Sequence, residues 1–119
     1  MSGYAVHLYP QSNCDAVRKA RLSLDLLVDH SVIHKNLSQY IPQEQAARDP
    51  GGAPLLLGET NSVSCSGKSG VSDVFGAALW MVDYSLTAAS LGIEQVFFVE
   101  SVGDTRLLHP TIEQRLSIF

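Results

Sequence analysis

Positive charge is scarce in this sequence and nowhere gathered: 8 Lys and Arg face 12 Asp and Glu over 119 residues, a formal net charge of -4. There is no basic stripe to follow a phosphate backbone, which excludes nucleic acid as the expected partner. Long hydrophobic runs are missing too. The longest apolar stretch, Phe75 to Leu91, is interrupted by Asp83 and small polar residues and falls short of the roughly 20 apolar residues that span a bilayer, so no membrane segment is expected. The first residues, "MSGYAVHLYPQS", have neither a basic start nor a long apolar centre, and as written they carry no export signal. Cysteine is limited to Cys14 and Cys65, too distant from each other and from suitable partners for a zinc motif, which excludes a structural metal. Composition leaves free thiols and a disulfide equally open.

What is present is an ordinary globular composition, with 45% hydrophobic and 17% charged residues, enough for one domain at most. Gly3 to Tyr9 is rich in aromatic and β-branched residues and predicts a short strand closed by Pro10, with His7 and Tyr9 on one face. Leu22, Leu24, Leu26 and Leu27 open a helical region with Ser23 as its cap, running on through Val32, Ile33 and Leu37. Pro42 starts a second helical piece. The loop "RDPGGAP" feeds a strand from Leu55 to Gly58. Ser72 and Asp73 are expected to cap a long helix in which Phe75, Leu79, Val82 and Leu86 recur at helical spacing and which Gly92 ends. A last strand spans Ile93 to Val99. Alternation of this kind predicts an α/β fold with parallel strands, right-handed crossovers and helices covering both faces of the sheet. Three strands cannot close a barrel, which takes about 250 residues. The order therefore describes either a small open sheet or part of something larger.

The stretch "PLLLGETNSVSCSG" at 54 to 67 delivers Glu59 from a buried strand into a polar loop, at the rim where parallel α/β folds place their chemistry. A carboxylate there is most often a solvated loop acid. Its context argues for more: Gly58 lets backbone approach, Thr60 and Asn61 offer donors, and His7 and Tyr9 end the preceding strand on the same rim, where a tyrosine hydroxyl can hold a carboxylate ionised. Two other features carry less. "CSGKSG" at 65 to 70 lacks the first glycine of a phosphate loop, since Ser62 stands there, and no helix follows Lys68 directly. Trp80 lies within the amphipathic helix and reads as core.

"VHLYP" at 6 to 10, "PLLLGETNS" at 54 to 62, "GVSDVFGAALWMVDY" at 70 to 84 and "LGIEQVFF" at 91 to 98 together resemble the heparanase and fungal β-glucuronidase family of glycoside hydrolases, family 79, with the fungal branch the closer fit. The resemblance runs from about Tyr4 to Phe98. It implies that residues 1–99 are the C-terminal part of a (β/α)₈ TIM barrel, about strands six to eight with their helices, and that the parent acts on β-linked glucuronides by the retaining mechanism without a cofactor. It implies Glu59 as nucleophile, Tyr9 as the tyrosine that contacts it, His7 as the histidine of the same segment, and Thr60 and Asn61 as substrate-binding or supporting neighbours. The family is mostly secreted. With Cys14 and Cys65 in loops after adjacent strands, on one rim, a disulfide between them is the expectation.

The retaining mechanism needs a second carboxyl group, which the family places after an asparagine. Asn13, Asn36 and Asn61 are followed here by Cys14, Leu37 and Ser62, so no Asn-Glu pair supplies it. Glu100 is a poor substitute, and Glu94 begins its strand at the opposite rim. Residues 100–119 depart from the family pattern and are expected to form an irregular tail. The reading is thus an internal fragment of the barrel, inactive alone, with a non-catalytic carbohydrate-binding or remnant module as the alternative. Nothing in the sequence bears on oligomeric state.

Overall fold

The structure, a computed structural model, describes residues 3–49, 52–99 and 114–117. Strand β1 (Tyr4–Leu8) and the two-residue β2 (Gln11–Ser12) lead into helices α1 (Ala16–Lys19), α2 (Leu24–Val28), α3 (His30–Ser38) and α4 (Ile41–Arg48). Strand β3 (Leu55–Thr60), the short β4 (Val63–Ser64), helix α5 (Phe75–Ser90), β5 (Gln95–Phe98) and β6 (Gln114–Ser117) follow. The main sheet has the order β1-β3-β5-β6, its first three strands parallel and β6 antiparallel to β5. Beyond β1 and β3 the chain adds a second parallel pair, β2 with β4. The strand β6 lies within the stretch expected to be irregular; residues 100–113, Glu100 among them, lie outside the described residues.

The helices form where the local chemistry asks for them. Ser23 accepts the Leu26 N–H and caps α2, and Asp29 accepts the Ser31 and Val32 N–H groups to restart the chain as α3, which divides the single helical region expected there. Asp15, accepting from Arg18, caps the short α1 that hydrophobic spacing does not reveal. Pro42 sits in the first turn of α4. Ser72 and Asp73 do not cap α5: Ser72 Oγ accepts the Lys68 N–H and Asp73 accepts the Gly70 N–H, so both tie the preceding loop. At the other end Gly92, at φ +86, closes α5, with Ile93 N–H returning to the Ala88 carbonyl.

Because β1, β3 and β5 advance in one direction across the sheet, crossovers of one hand fall on one side. The described helices accordingly cover one face, not both as expected. Leu27, Ile33 and Leu37 from the helical region meet Leu55, Leu57, Val96 and Phe98 from the strands around Trp80 and Tyr84 of α5. The Trp80 and Tyr84 rings lie 4.7 Å apart, and Trp80 meets Phe98 edge-on at 5.9 Å. Phe75, Leu79, Val82 and Leu86, which recur at helical spacing, lie exposed on the outer side of α5, while Trp80, read as core, is buried with Tyr84, Thr87 and Ala88. This helix is apolar on both sides, so spacing alone cannot choose between them. No helix among the described residues is long and apolar enough to cross a membrane.

Candidate functional site

The position of Glu59 depends on one irregularity in β3. Side chains along a strand alternate between faces, so Leu55, Leu57 and residue 59 would share the helix-covered side. The register prevents this. Val6 lies opposite Leu57, but His7 lies opposite Glu59, and Gly58 is passed over. On the other side, Leu57 to Thr60 is matched by Val96 to Phe98, which again leaves β3 one residue long. This is a β-bulge at Gly58. Beyond it Thr60 takes the buried slot that Glu59 would have filled, and Glu59 turns to the face free of described helices. A Cβ at position 58 would lie 3.0 Å from the Ala5 Cβ and 3.6 Å from His7 Nε2, so glycine suits the close approach of β1.

On that face Tyr9 donates its hydroxyl hydrogen to Glu59 Oε1 at 2.8 Å. The imidazole Nδ1 of His7 lies 3.7 Å from Glu59 Oε2, and the pair is open to solvent, with side-chain exposures of 62% and 41%. A protonated His7 would form an ion pair there. Burial pushes the Tyr9 phenol up to about 12, helped by the hydrogen bond and the charge of Glu59. At neutral pH Tyr9 therefore keeps its proton and serves as the hydrogen-bond donor to the Glu59 carboxylate. The arrangement suits a nucleophile or an anionic stabiliser: one oxygen of Glu59 is held and the other faces the solvent side.

Thr60 and Asn61 support this rim from within. Thr60 is fully buried, donates to the Leu8 carbonyl at 2.5 Å and is hydrogen-bonded to the Tyr84 hydroxyl at 3.1 Å. It ties the ends of β1 and β3 to α5 instead of facing a substrate. Asn61 donates to the Val99 carbonyl at 2.6 Å and accepts the Ser62 N–H at 2.7 Å, which fixes the end of β3 to that of β5. Farther out, the Asn13 N–H bonds to the Ser64 carbonyl and the Asn13 side chain donates to Gly67. Cys14 and Cys65 are joined in a disulfide with Cα atoms 5.2 Å apart. Cys65, Ser66 and Gly67 all have positive φ, from 60 to 73, a run that non-glycine residues adopt only when held. The disulfide and Asn13 hold it. A cleft of about 740 Å³ opens beside the cluster, with Tyr9, Asn61, Gly67, Asp73 and Met81 among its walls, although Glu59 is not one of them.

No other acidic side chain among the described residues is bonded into the Glu59, Tyr9 and His7 cluster. Glu94 is exposed, and its N–H bonds to the Leu55 carbonyl at the start of β3, at the opposite rim. Sequence reasoning missed the bulge and the Asn13 bridge; the single signal for the bulge is a glycine set between an apolar run and an acid. No group of three or more His, Cys, Asp or Glu among the described residues is placed to hold a metal.

Known proteins resemble parts of this chain. A β-glucuronidase of Neurospora crassa is 40% identical over 72 residues, covering 59% of this chain and 13% of that protein. A β-glucuronidase of Aspergillus niger is 52% identical over 44 residues, covering 37% of this chain and 8% of that protein. The chain is similar to fungal β-glucuronidases. Among solved structures, a 4-O-α-L-rhamnosyl-β-D-glucuronidase from Fusarium oxysporum 12S, in complex with Rha-GlcA, superposes with a TM-score of 0.70 at 34% identity, covering 81% of this chain and 19% of that one. The parallel sheet with helices on one side is consistent with part of a barrel. No model of a known protein family matches the chain. The chain thus spans about an eighth of the Neurospora relative's length.

Proposed function

We propose that this chain is the nucleophile-bearing part of a retaining glycoside hydrolase of the β-glucuronidase type, of the kind grouped in family 79, acting on β-linked glucuronides. The observation that carries the reading is the donation of the Tyr9 hydroxyl to Glu59 at the C-terminal end of a parallel strand. In the reaction Glu59 attacks the anomeric carbon, the bond from that carbon to the leaving oxygen breaks, and a second carboxylic acid about 5–5.5 Å away protonates that oxygen. Water activated by the same acid, now a base, then releases the sugar from Glu59. Tyr9 holds the carboxylate aimed before the attack and donates to it again when water releases the sugar. His7 and Asn61 stand at the rim as supporting groups.

The second carboxyl group is contributed from outside residues 1–99, which in this reading are the last third of a (β/α)₈ barrel. The isolated 119-residue chain then has no turnover, since general acid catalysis alone is worth roughly 10² to 10⁴-fold. The parent enzyme is expected to be secreted, in keeping with a disulfide at the rim. The test is kinetic. In a longer chain containing this segment and the acid, Glu59→Gln keeps the shape, removes the charge and lowers kcat by at least about 10³-fold on an aryl β-glucuronide. A variant that keeps most of its rate returns Glu59 to the status of a loop acid. Binding of glucuronides with no turnover by the unaltered longer chain would instead support the carbohydrate-binding alternative.

A further inference from the structure

Two of the three asparagines in the chain fasten the rim: Asn13 donates to the Gly67 carbonyl at 2.9 Å and Asn61 to the Val99 carbonyl at 2.6 Å. Asn36 does not. It stands in the last turn of α3, although asparagine is a poor helix former, and its side-chain amide makes no hydrogen bond among the described residues. Neither atom of that amide is shut off from solvent. Along the chain it opens the triplet Asn36-Leu37-Ser38, with the hydroxyl two residues on and the middle residue other than proline that N-linked glycosylation requires. Asn13 and Asn61 are followed two residues on by Asp15 and Val63, so neither fits. The asparagine whose side chain the fold leaves unbonded is the one that matches the acceptor pattern.

A triplet of this kind also arises by chance, so the compartment matters. The disulfide between Cys14 and Cys65 speaks to it independently, because such bonds form and persist in oxidising compartments, the ones through which N-glycosylated chains pass. The position is compatible with the fold as well. Leu37 is fully buried and anchors the turn, which leaves the Asn36 amide at the flank of the helix. Helix α3 belongs to the layer on one face of the sheet and Glu59 opens on the other, so a sugar chain here stays clear of the Glu59, Tyr9 and His7 cluster. We propose that Asn36 carries an N-linked oligosaccharide, joined through N-acetylglucosamine. The donor is an oligosaccharide on a lipid pyrophosphate: a bond forms from Asn36 Nδ2 to the anomeric carbon of the first sugar, and the bond from that carbon to the pyrophosphate oxygen breaks. The lipid pyrophosphate leaves, and one Nδ2 hydrogen departs as a proton to water. The inference rests on reading the parent as secreted, not on the role given to Glu59.

The test supplies the export signal, so its outcome does not depend on how the parent reaches the secretory route. The full chain is placed behind a yeast secretion signal and recovered from the medium or, where none is exported, from the microsomes. Its peptides are read by mass spectrometry before and after treatment with a peptide N-glycosidase, which leaves aspartate where a sugar-bearing asparagine stood. One glycopeptide is expected, spanning Asn36 to Ser38, with conversion at position 36 after the enzyme. Asn36→Gln and Ser38→Ala each remove the sugar, whereas Ser38→Thr keeps it. An unmodified Asn36 in a chain that has entered the secretory route overturns the proposal, as does a sugar that persists in Asn36→Gln. So does a glycosylated chain that melts more than about 5 °C below the enzyme-treated one by circular dichroism, since the sugar would then be forced into the fold. Secretion of the parent is read separately, by whether its own leader carries it into the medium, so the two readings fail by different results.

Discussion

Removing Gly58 from β3 should turn the site inside out, because this one residue makes β3 longer than both of its neighbours. Without it, strict alternation carries Glu59 into the slot that Thr60 now fills, against Tyr84 and the Leu8 carbonyl. Two hydrogen bonds of Thr60 are lost, at roughly 1 kcal/mol each, and a carboxylate enters the apolar core at a cost of several kcal/mol. The sum approaches the whole stability of a small domain, about 5–15 kcal/mol, so the deletion variant should not fold. Gly58→Ala is the milder control. It keeps the bulge but sets a Cβ 3.0 Å from the Ala5 Cβ, and overpacking of that kind costs about 1–2 kcal/mol once the stiffer unfolded chain is allowed for. Ala5→Gly opens the space from the other strand. The double variant should then recover about 1 kcal/mol relative to the sum of the single changes, read from urea denaturation midpoints at equal slope. A deletion variant that folds with unchanged stability, or a double variant that is merely additive, would refute the bulge as the device that aims Glu59.

Other consequences are as direct. Replacing Cys14 and Cys65 by serine opens a loop with a sequence separation of 51; chain entropy assigns that closure about 4 kcal/mol, so the melting temperature should fall by about 15 °C, and a fall under about 3 °C would show that the rim is held by its hydrogen bonds alone. Tyr9 has a folded-state pKa raised from 10.0 to about 12, so its stabilising contribution is whole below pH 10 and is lost as pH climbs through about 12. In the difference between wild type and Tyr9→Phe, tyrosinate absorbance should therefore rise near pH 12; a rise near pH 10 would mean that the phenol is neither buried nor bonded to Glu59.

Several of these features could be read before the fold was known, for identifiable reasons. Glu59 stood out because a glycine and an acid interrupt an apolar run. Tyr9 and His7 could be placed beside it because two parallel strands bring their ends to one rim. The cysteine pair followed from the same geometry taken with the resemblance to a mostly secreted family. The inward side of α5 could be read at Trp80 but not as a whole stripe, since Phe75, Leu79, Val82 and Leu86 recur as well as Trp80, Tyr84 and Ala88 do, and packing against Phe98 decides between them. The split between α2 and α3 rests on Asp29, whose capping bonds to Ser31 and Val32 compete with an unbroken helix by a margin that hydrophobic spacing does not express. Covering of both faces was the general rule for parallel sheets; three strands added in one direction place their helices on one side. The roles of Thr60 and Asn61 depended on the bulge, which turns Thr60 into the core.

The claim that Glu59 is a nucleophile is tested most directly by trapping its covalent intermediate. A 2-deoxy-2-fluoro-glucuronyl fluoride slows both steps of a retaining enzyme and leaves the sugar on the attacking residue. Applied to a longer chain that contains this segment and its acid, followed by proteolysis and mass spectrometry, it should place one glucuronyl adduct on the peptide from the end of β3, at Glu59, and Glu59→Gln should abolish the adduct while leaving the fold intact. An adduct on a different carboxylate, or one that persists in the Gln variant, would contradict the account.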